Sequence, residues 1–425
     1  MEYSYLCAPM RVLIVSTSDC NGGAAVAANR LTEALINNGV KARMLVCKKE
    51  SDALYVATAG TRSANYRHFL WERGVIWLKN RFNRKNLFKV SIANSGTDIT
   101  KTREFQEADI VHLHWVNQGY LSLKGIQKIL MSGKPVVWTM HDMWELTAIC
   151  HHAYDCNRFE SECCQCPFLQ HPAERDLSYQ VFQQKKRLYA EARRLTFVAV
   201  GEWLAARARA SALTGGFPIK VIPNSISLSQ FTLIDRTDAR TALDVQEPYV
   251  LSFGAARIDD PIKGFSHLLK ALQLLQGQFR SHEVRVLLFG GIRDASLLEQ
   301  IPFRWTHLGY VGDEHQLSAI YSASNATVSS SLYETFGQTL VEAQACGSLP
   351  VAFAGSGPND IIVHRQTGFL ADYLSAESLA EGMAWALRAN VSPRDLRRSV
   401  MRRFGESVVA NRYIELYHSL SNSQV

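Results

Sequence analysis

Near its beginning this chain runs strand, glycine-containing turn, helix, and the same order then repeats along its length. Arg11–Ser16 (RVLIVS) is a short run rich in β-branched residues, and the polar stretch Thr17–Gly23 after it ends in two glycines. Beyond the turn, Ala24, Ala27, Ala28, Leu31 and Leu35 recur at helical spacing, and Gly39 marks the stop. Ala42–Cys47 is the next strand candidate and completes a βαβ unit. Such a crossover is right-handed, and its two strands are parallel. Parallel strands need helical crossovers and cover on both faces, so this unit restricts the fold more than any other feature.

The alternation continues at Ile110–Leu113, Val136–Met140 and Phe197–Val200. It pauses in the Gly/Pro-containing stretch 213–226 (LTGGFPIKVIPNSI) and restarts with strand candidates at Tyr249–Phe253, Val284–Phe289, Thr306–Tyr310, Ala326–Ser329 and Leu349–Phe353. The 425 residues exceed what one ordinary core accommodates. The expected fold class is therefore α/β, with two Rossmann-like doubly wound parallel-sheet domains facing a cleft. The expected domains are 1–222 and 223–400. A helical stretch at roughly 395–418 is expected to carry the terminal segment 401–425 back onto the first domain. In such sheets ligands bind outside the carboxyl ends of the strands, so functional residues are sought there.

Composition narrows the classes. With 47% hydrophobic and 20% charged residues and no 18-residue apolar run, the chain reads as folded, with no transmembrane helix expected. Met1–Pro9 has neither a basic n-region nor a long apolar stretch and reads as a frayed extension rather than a signal peptide. Five of the nine cysteines fall between Cys150 and Cys166 without an export signal, which favours a reducing cytoplasm.

Charge is concentrated in one place. Segment 61–90 holds eight Lys/Arg and one Glu, a local net charge of +7 that equals that of the whole chain. Tyr66, Phe69, Trp71, Trp77, Phe82 and Phe88 are interleaved with cations such as Arg73, Arg81 and Lys85. That mixture suits peripheral contact with an anionic membrane, on the inner face of the plasma membrane. The alternative is an ordinary amphipathic helix with its rings in the core. No nucleic-acid module pattern accompanies the charge, so no nucleic-acid partner is expected.

Three features point to an anionic ligand. Glu334 and Glu342 stand eight residues apart in ETFGQTLVE, after a strand candidate and running into a helix expected to begin near Phe336. Free N–H groups at such a helix start favour phosphate or sugar oxygens. Arg257 and Lys263, in GAARIDDPIKGF, follow the first strand of the second half, where two cations neutralise a diphosphate. Asn21-Gly22-Gly23 opens the first helix with a backbone that an anion can approach closely. The dinucleotide fingerprint GxGxxG is absent from that turn.

These residues resemble the retaining glycosyltransferases of family 4, which have the GT-B fold, over Met10 to about Leu416. The resemblance is carried by NGGAA at 21–25, TMHD at 139–142, VIPNSI at 221–226, Arg257 with Lys263, HLGYV at 307–311, SLYETFGQTLVEAQACG at 331–347 and TGFL at 367–370. The stretch from TMHDMWELTAICHH to CCQCPFL is similar to a subgroup of bacterial polysaccharide enzymes. The gap from Arg257 to Lys263 is one residue longer than the common family spacing.

The resemblance implies a nucleotide-diphosphate sugar as co-substrate, and a glycan or lipid-linked oligosaccharide as acceptor in surface polysaccharide or lipopolysaccharide synthesis. It implies that Glu342 holds the ribose and that Glu334 and the amides of Phe336, Gly337 and Gln338 hold the donor sugar. Arg257 and Lys263 would bind the diphosphate, Val311 would lie beside the base, and Gly22 and Gly23 would face the donor. His141 would sit near the donor sugar and the acceptor. Two rival readings are a sugar-nucleotide epimerase on the same fold and a non-catalytic two-lobed sugar-binding protein.

No cofactor is expected for catalysis, because the two cations supply the charge and no DxD-type carboxylate pair accompanies the motifs. The cluster Cys150, Cys156, Cys163 and Cys166, with Cys164 and with His151 and His152 beside it, has the ligands for a structural zinc ion. Its spacing is not that of a standard ribbon. Reduced thiols packing a loop and disulfides are the alternatives.

Overall fold

The computed structural model describes residues 10–422. The terminal stretch Met1–Pro9 lies outside the described residues. The chain divides into two compact units, one formed by residues 1–225 with 409–425 and the other by 226–408.

The first unit contains seven strands: β1 (Arg11–Ser18), β2 (Lys41–Lys48), β3 (Val56–Thr58), β4 (Ile110–Leu113), β5 (Val136–Met140), β6 (Leu195–Ala199) and β7 (Ile219–Val221). They lie in the order β3-β2-β1-β4-β5-β6-β7, and every pairing is parallel. Because β2 and β3 build outward on one side of β1 and β4 returns to the other, the strand order reverses between β1 and β4. In such sheets ligands bind beyond the carboxyl ends of the strands at that reversal. β4, β5 and β6 are buried along their whole length, which is why they read as apolar runs instead of alternating.

The second unit contains β8 (Tyr249–Arg257), β9 (Val284–Gly291), β10 (Arg304–His307), β11 (Ala326–Ser329), β12 (Leu349–Phe353) and β13 (Phe369–Ala371). Their order is β10-β9-β8-β11-β12-β13, again parallel throughout, with the reversal between β8 and β11. Its core joins Leu251, Phe253, Val286, Leu288, Val328 and Val351 of the sheet to Leu268, Leu272, Leu379 and Met383 of the flanking helices.

Two local expectations change. The strand sought at Thr306–Tyr310 ends at His307, because Gly309 turns into the left-handed region at φ +69° and its carbonyl accepts from Gly290 N at 2.6 Å. The single terminal helix is two, Pro393–Phe404 and Glu406–Asn422, interrupted at Gly405 where the backbone is extended. Residues of the last helix from Val409 onward belong to the first unit. There Tyr413 Oη meets Thr139 Oγ1 at 2.9 Å, and Tyr417 Oη meets His112 Nδ1 at 2.7 Å.

Candidate active site

In the second unit the β8–β11 reversal carries the cations. Arg257 ends β8, and its Nη2 lies 2.9 Å from Asp260 Oδ2 while its Nε lies 3.4 Å from Asp259 Oδ1. Asp260 also caps the turn Pro261–Lys263 by accepting from Ile262 N at 3.2 Å. That turn is stitched to the loop after β11: Leu332 N donates to Ile262 O at 2.8 Å, and Ser330 Oγ to Lys263 O at 3.0 Å. The approach is so close that a Cβ on Gly264, at φ +66°, would lie 1.9 Å from Ser330 O. Lys263 Nζ is thereby brought to 3.3 Å from Glu334 Oε2, with the two side chains 33% and 21% exposed. A partly solvated cation held by a carboxylate is a pair whose partners a charged ligand can exchange.

The helix after Glu334 runs Gln338–Ala345, starting two residues later than the sequence suggests. Gly337 takes φ +106°, a conformation outside the helix, and no side chain caps the start. Phe336 is buried, its ring 5.8 Å from that of Phe404 and edge-on to it. Gln338 Nε2 is buried without a hydrogen-bond partner among the described residues. Glu342, also buried, accepts from Tyr321 Oη at 3.3 Å. Val311 is half-buried in the segment between β10 and the helix Glu314–Ala323, beside Tyr310, which is 79% exposed. The structure thus joins Lys263 directly to Glu334 and ties Arg257 to the same turn through Asp260, while Val311 and Glu342 stand on other segments.

In the first unit the helix Gly23–Asn37 begins immediately after Gly22, whose φ of +94° rather than any packing demands glycine. Sequence reasoning passed over Asp19 in the same turn. Its carboxylate accepts from Glu50 N and Ser51 N, each at 2.9 Å, and from Ser51 Oγ at 2.6 Å. Burial by itself would raise this carboxyl, and the bonds from Ser51 and Glu50 more than offset it, leaving the group below the usual range.

His141 follows β5, and its Nε2 stands 2.8 Å from Nδ1 of His114, which follows β4. Burial lowers His141 to about 4 and takes His114 well below its ordinary value. Both rings are neutral at neutral pH, so one donates and the other accepts, and His114 orients His141. Nothing in the spacing of His114 announced this role. Buried and unpartnered among the described residues are Ser16 Oγ, His114 Nε2 and both amide atoms of Asn117. Ser16 lies near the carboxyl end of β1 and the other two follow β4, so these orphaned polar atoms lie at this sheet's reversal. Such groups ordinarily have partners.

Asp142, beside His141, holds the loop beneath. It accepts from Trp115 Nε1 at 2.8 Å, Trp144 N at 2.8 Å and His151 Nδ1 at 2.7 Å. Burial would raise its carboxyl, but His151 and the other donors outweigh that and hold it below the usual carboxylate range. Lys185, buried and lowered to about 7 by desolvation, donates to Thr147 O at 3.0 Å and sits 3.3 Å above the Trp144 ring.

The zinc expectation requires correction. Cys150, Cys156, Cys163, Cys164 and Cys166 do line one cavity of about 20 Å³, but all five are free thiols. Among the described residues no three His, Cys, Asp or Glu side chains are grouped so as to hold a metal ion. His151 is committed elsewhere, with Nδ1 on Asp142 and Nε2 3.0 Å from Ser91 Oγ. Burial raises Cys150 to about 11 and Cys163 to about 12.

Two doubly wound parallel sheets, one with its cations and carboxylate at the reversal of strand order, define a glycosyltransferase of the GT-B class. Residues 21–230 match the profile described as Glycosyltransferase Family 4, and residues 234–403 match that described as Glycosyl transferases group 1. The chain belongs to the GT-B glycosyltransferases of family 4 type.

Among curated proteins, a phosphatidyl-myo-inositol mannosyltransferase of Mycobacterium tuberculosis is 30% identical over 217 residues, covering 48% of this chain and 54% of the relative. The match thus spans about half that relative's length. An uncharacterized 41.2 kDa protein in the cps region of Klebsiella pneumoniae is 21% identical over 94% of this chain and 97% of its own. Among solved structures, HepE of Anabaena in complex with UDP and glucose aligns with a TM-score of 0.61 at 17% identity, covering 96% of this chain and 100% of that one. That likeness bears on the fold.

Proposed function

We propose that the chain transfers one sugar, with retention of configuration, from a nucleoside-diphosphate donor to a glycan or lipid-linked acceptor in surface polysaccharide synthesis. The observation that carries this reading is the Lys263–Glu334 pair at the reversal of the second sheet, with Arg257 anchored on the same turn. A diphosphate arriving there competes with Glu334 and Asp260 for the two cations, and charge that builds on the leaving oxygen meets them at close range. Glu334, released from Lys263, is free to accept from a sugar hydroxyl. Buried Glu342 is suited to a ribose hydroxyl, and Gln338 has an unspent amide donor for the sugar. In the first unit His141, fixed by His114, and the orphaned groups of Ser16 and Asn117 are suited to the hydroxyls of donor sugar and acceptor.

The chemistry assigned to these residues is displacement of the diphosphate by an acceptor hydroxyl from the face the diphosphate leaves. The glycosidic bond to phosphate breaks, the bond to the acceptor oxygen forms, and the acceptor proton passes to the departing phosphate oxygen. The cps-region protein of K. pneumoniae, matched almost end to end, supports a polysaccharide setting. UDP in the HepE structure makes uracil the first base to test.

A thermal-shift screen of nucleoside-diphosphate sugars tests the donor, because a ligand bound by the folded state alone raises the melting temperature with the logarithm of its concentration. One donor is expected to stand out in the wild type and to lose its effect in Lys263→Ala. A shift unchanged by that substitution would place the donor elsewhere.

A further inference from the structure

The helix Arg62–Lys79 is inside out. Its buried residues are Asn65, Glu72, Arg73 and Ile76, three of them polar. Each polar one is hydrogen-bonded: Asn65 Nδ2 donates to Cys47 O at 3.0 Å and Ala59 O at 2.8 Å. Glu72 Oε1 accepts from Ile92 N and Ala93 N, each at 2.8 Å. Arg73 Nη1 donates to Val90 O at 3.0 Å, and its Nη2 lies 3.1 Å from Glu72 Oε2.

The outer face carries the apolar residues. Tyr66 is 60% exposed, Leu70 48%, Trp71 63%, Trp77 36% and Leu78 57%, and Phe82 and Phe88 in the following loop are 61% and 62% exposed. A helix turns about 100° per residue, so Tyr66, Trp77, Leu70, Leu78 and Trp71 fall within one arc of about 140°. The reading that put these rings in the core is thereby corrected; only Phe69 is half-buried.

Charge completes the pattern. Arg73, expected among the outward cations, is buried and neutralised by Glu72, which is the segment's one acid. The remaining seven cations, Arg62, Arg67, Lys79, Arg81, Arg84, Lys85 and Lys89, are all exposed. Among the described residues none of the seven forms an ion pair with a carboxylate. The whole +7 of the segment therefore faces solvent beside exposed aromatic rings. Water is a poor environment for such rings, and uncompensated cations beside them call for a partner that is apolar and anionic at once. No helix among the described residues is long and apolar enough to cross a membrane, which leaves docking on the surface.

We infer that the face of residues 62–89 is a docking surface for an anionic phospholipid bilayer. The exposed arc enters the headgroup–acyl boundary, and the seven cations meet lipid phosphates. The inference stands on this face alone and does not depend on the transferase reading.

Flotation of the full chain with phosphatidylcholine vesicles, with or without added phosphatidylglycerol, tests it. The wild type is expected to float with the anionic vesicles only, and high salt is expected to release most of it, since screening shortens the reach of these charges. Arg81→Glu/Arg84→Glu/Lys85→Glu is expected to bind anionic vesicles roughly a hundredfold more weakly or worse. Leu70→Ser/Trp71→Ser/Leu78→Ser removes one exposed ring and two exposed aliphatic side chains only; it is expected to keep the wild-type melting temperature and to dissociate faster. The inference is overturned if the wild type ignores anionic vesicles at low salt, if the charge-reversed variant floats as well as the wild type, or if duplex DNA competes the protein off vesicles.

Discussion

The two sheets of this molecule treat polar groups at their reversal points in opposite ways. In the second unit the charges are partly solvated and paired by carboxylates: Lys263 with Glu334, and Arg257 with Asp259 and Asp260. In the first unit they are buried and mostly neutral, with His112 lowered to about 3 and His141 to about 4 by desolvation. Solvated pairs contribute little to folding and change partners readily, whereas a buried network is costly to disturb. The second arrangement suits a site where phosphate comes and goes; the first suits one that fixes the direction of a few donors and acceptors.

The contrast is sharpest in what substitutions do to folding. Asp142→Ala leaves Trp115 Nε1, Trp144 N and His151 without their acceptor, and about 3–5 kcal/mol of stability is expected to be lost in urea unfolding. Lys263→Ala is expected to leave the unfolding midpoint nearly unchanged and to lower kcat about a hundredfold, equivalent to about 2.7 kcal/mol of transition-state stabilisation. A large stability loss in Lys263→Ala, or none in Asp142→Ala, would erase the distinction. Glu342→Ala is expected to cost about 2 kcal/mol in kcat/KM with folding retained, since the carboxylate's further partners arrive with the donor.

pH separates the units more gently. A histidine lowered in the folded state binds its proton more readily when unfolded, so its contribution is present above pH 6.5 and is lost as pH falls toward the folded value. For His141 that window runs from about 6.5 down to about 4. Between pH 7 and 6 the expected loss is under about 1 kcal/mol, growing steadily below. Unfolding midpoints followed against pH check it, with His141→Gln expected to flatten the slope.

Much of the architecture was legible because long buried strands print themselves as apolar runs: Ile110–Leu113, Val136–Met140, Ala326–Ser329 and Leu349–Phe353 coincide with β4, β5, β11 and β12. The strands β3, β7 and β13, three residues each, are too short to leave a period. At the candidate site the residue types after β8 and β11 were readable, but the contact between Lys263 and Glu334 spans 71 positions and depends on Gly264 admitting Ser330. The His114–His141 bond joins the ends of two neighbouring strands, a fact of sheet order rather than of spacing. Composition marked segment 61–90, yet which way its rings point was decided by three buried polar side chains that no hydrophobic pattern encodes.

Two cations of the second unit, with no catalytic metal, are proposed to support transfer from a nucleoside-diphosphate sugar. NMR-followed turnover of the donor chosen by thermal shift, with acceptor, in excess EDTA tests this. The expected result is a product of unchanged anomeric configuration and release of nucleoside diphosphate at the metal-free rate, slowed about a hundredfold in Lys263→Ala. Activity that vanishes in EDTA and returns with Mg²⁺ or Mn²⁺, or an inverted product, would contradict it.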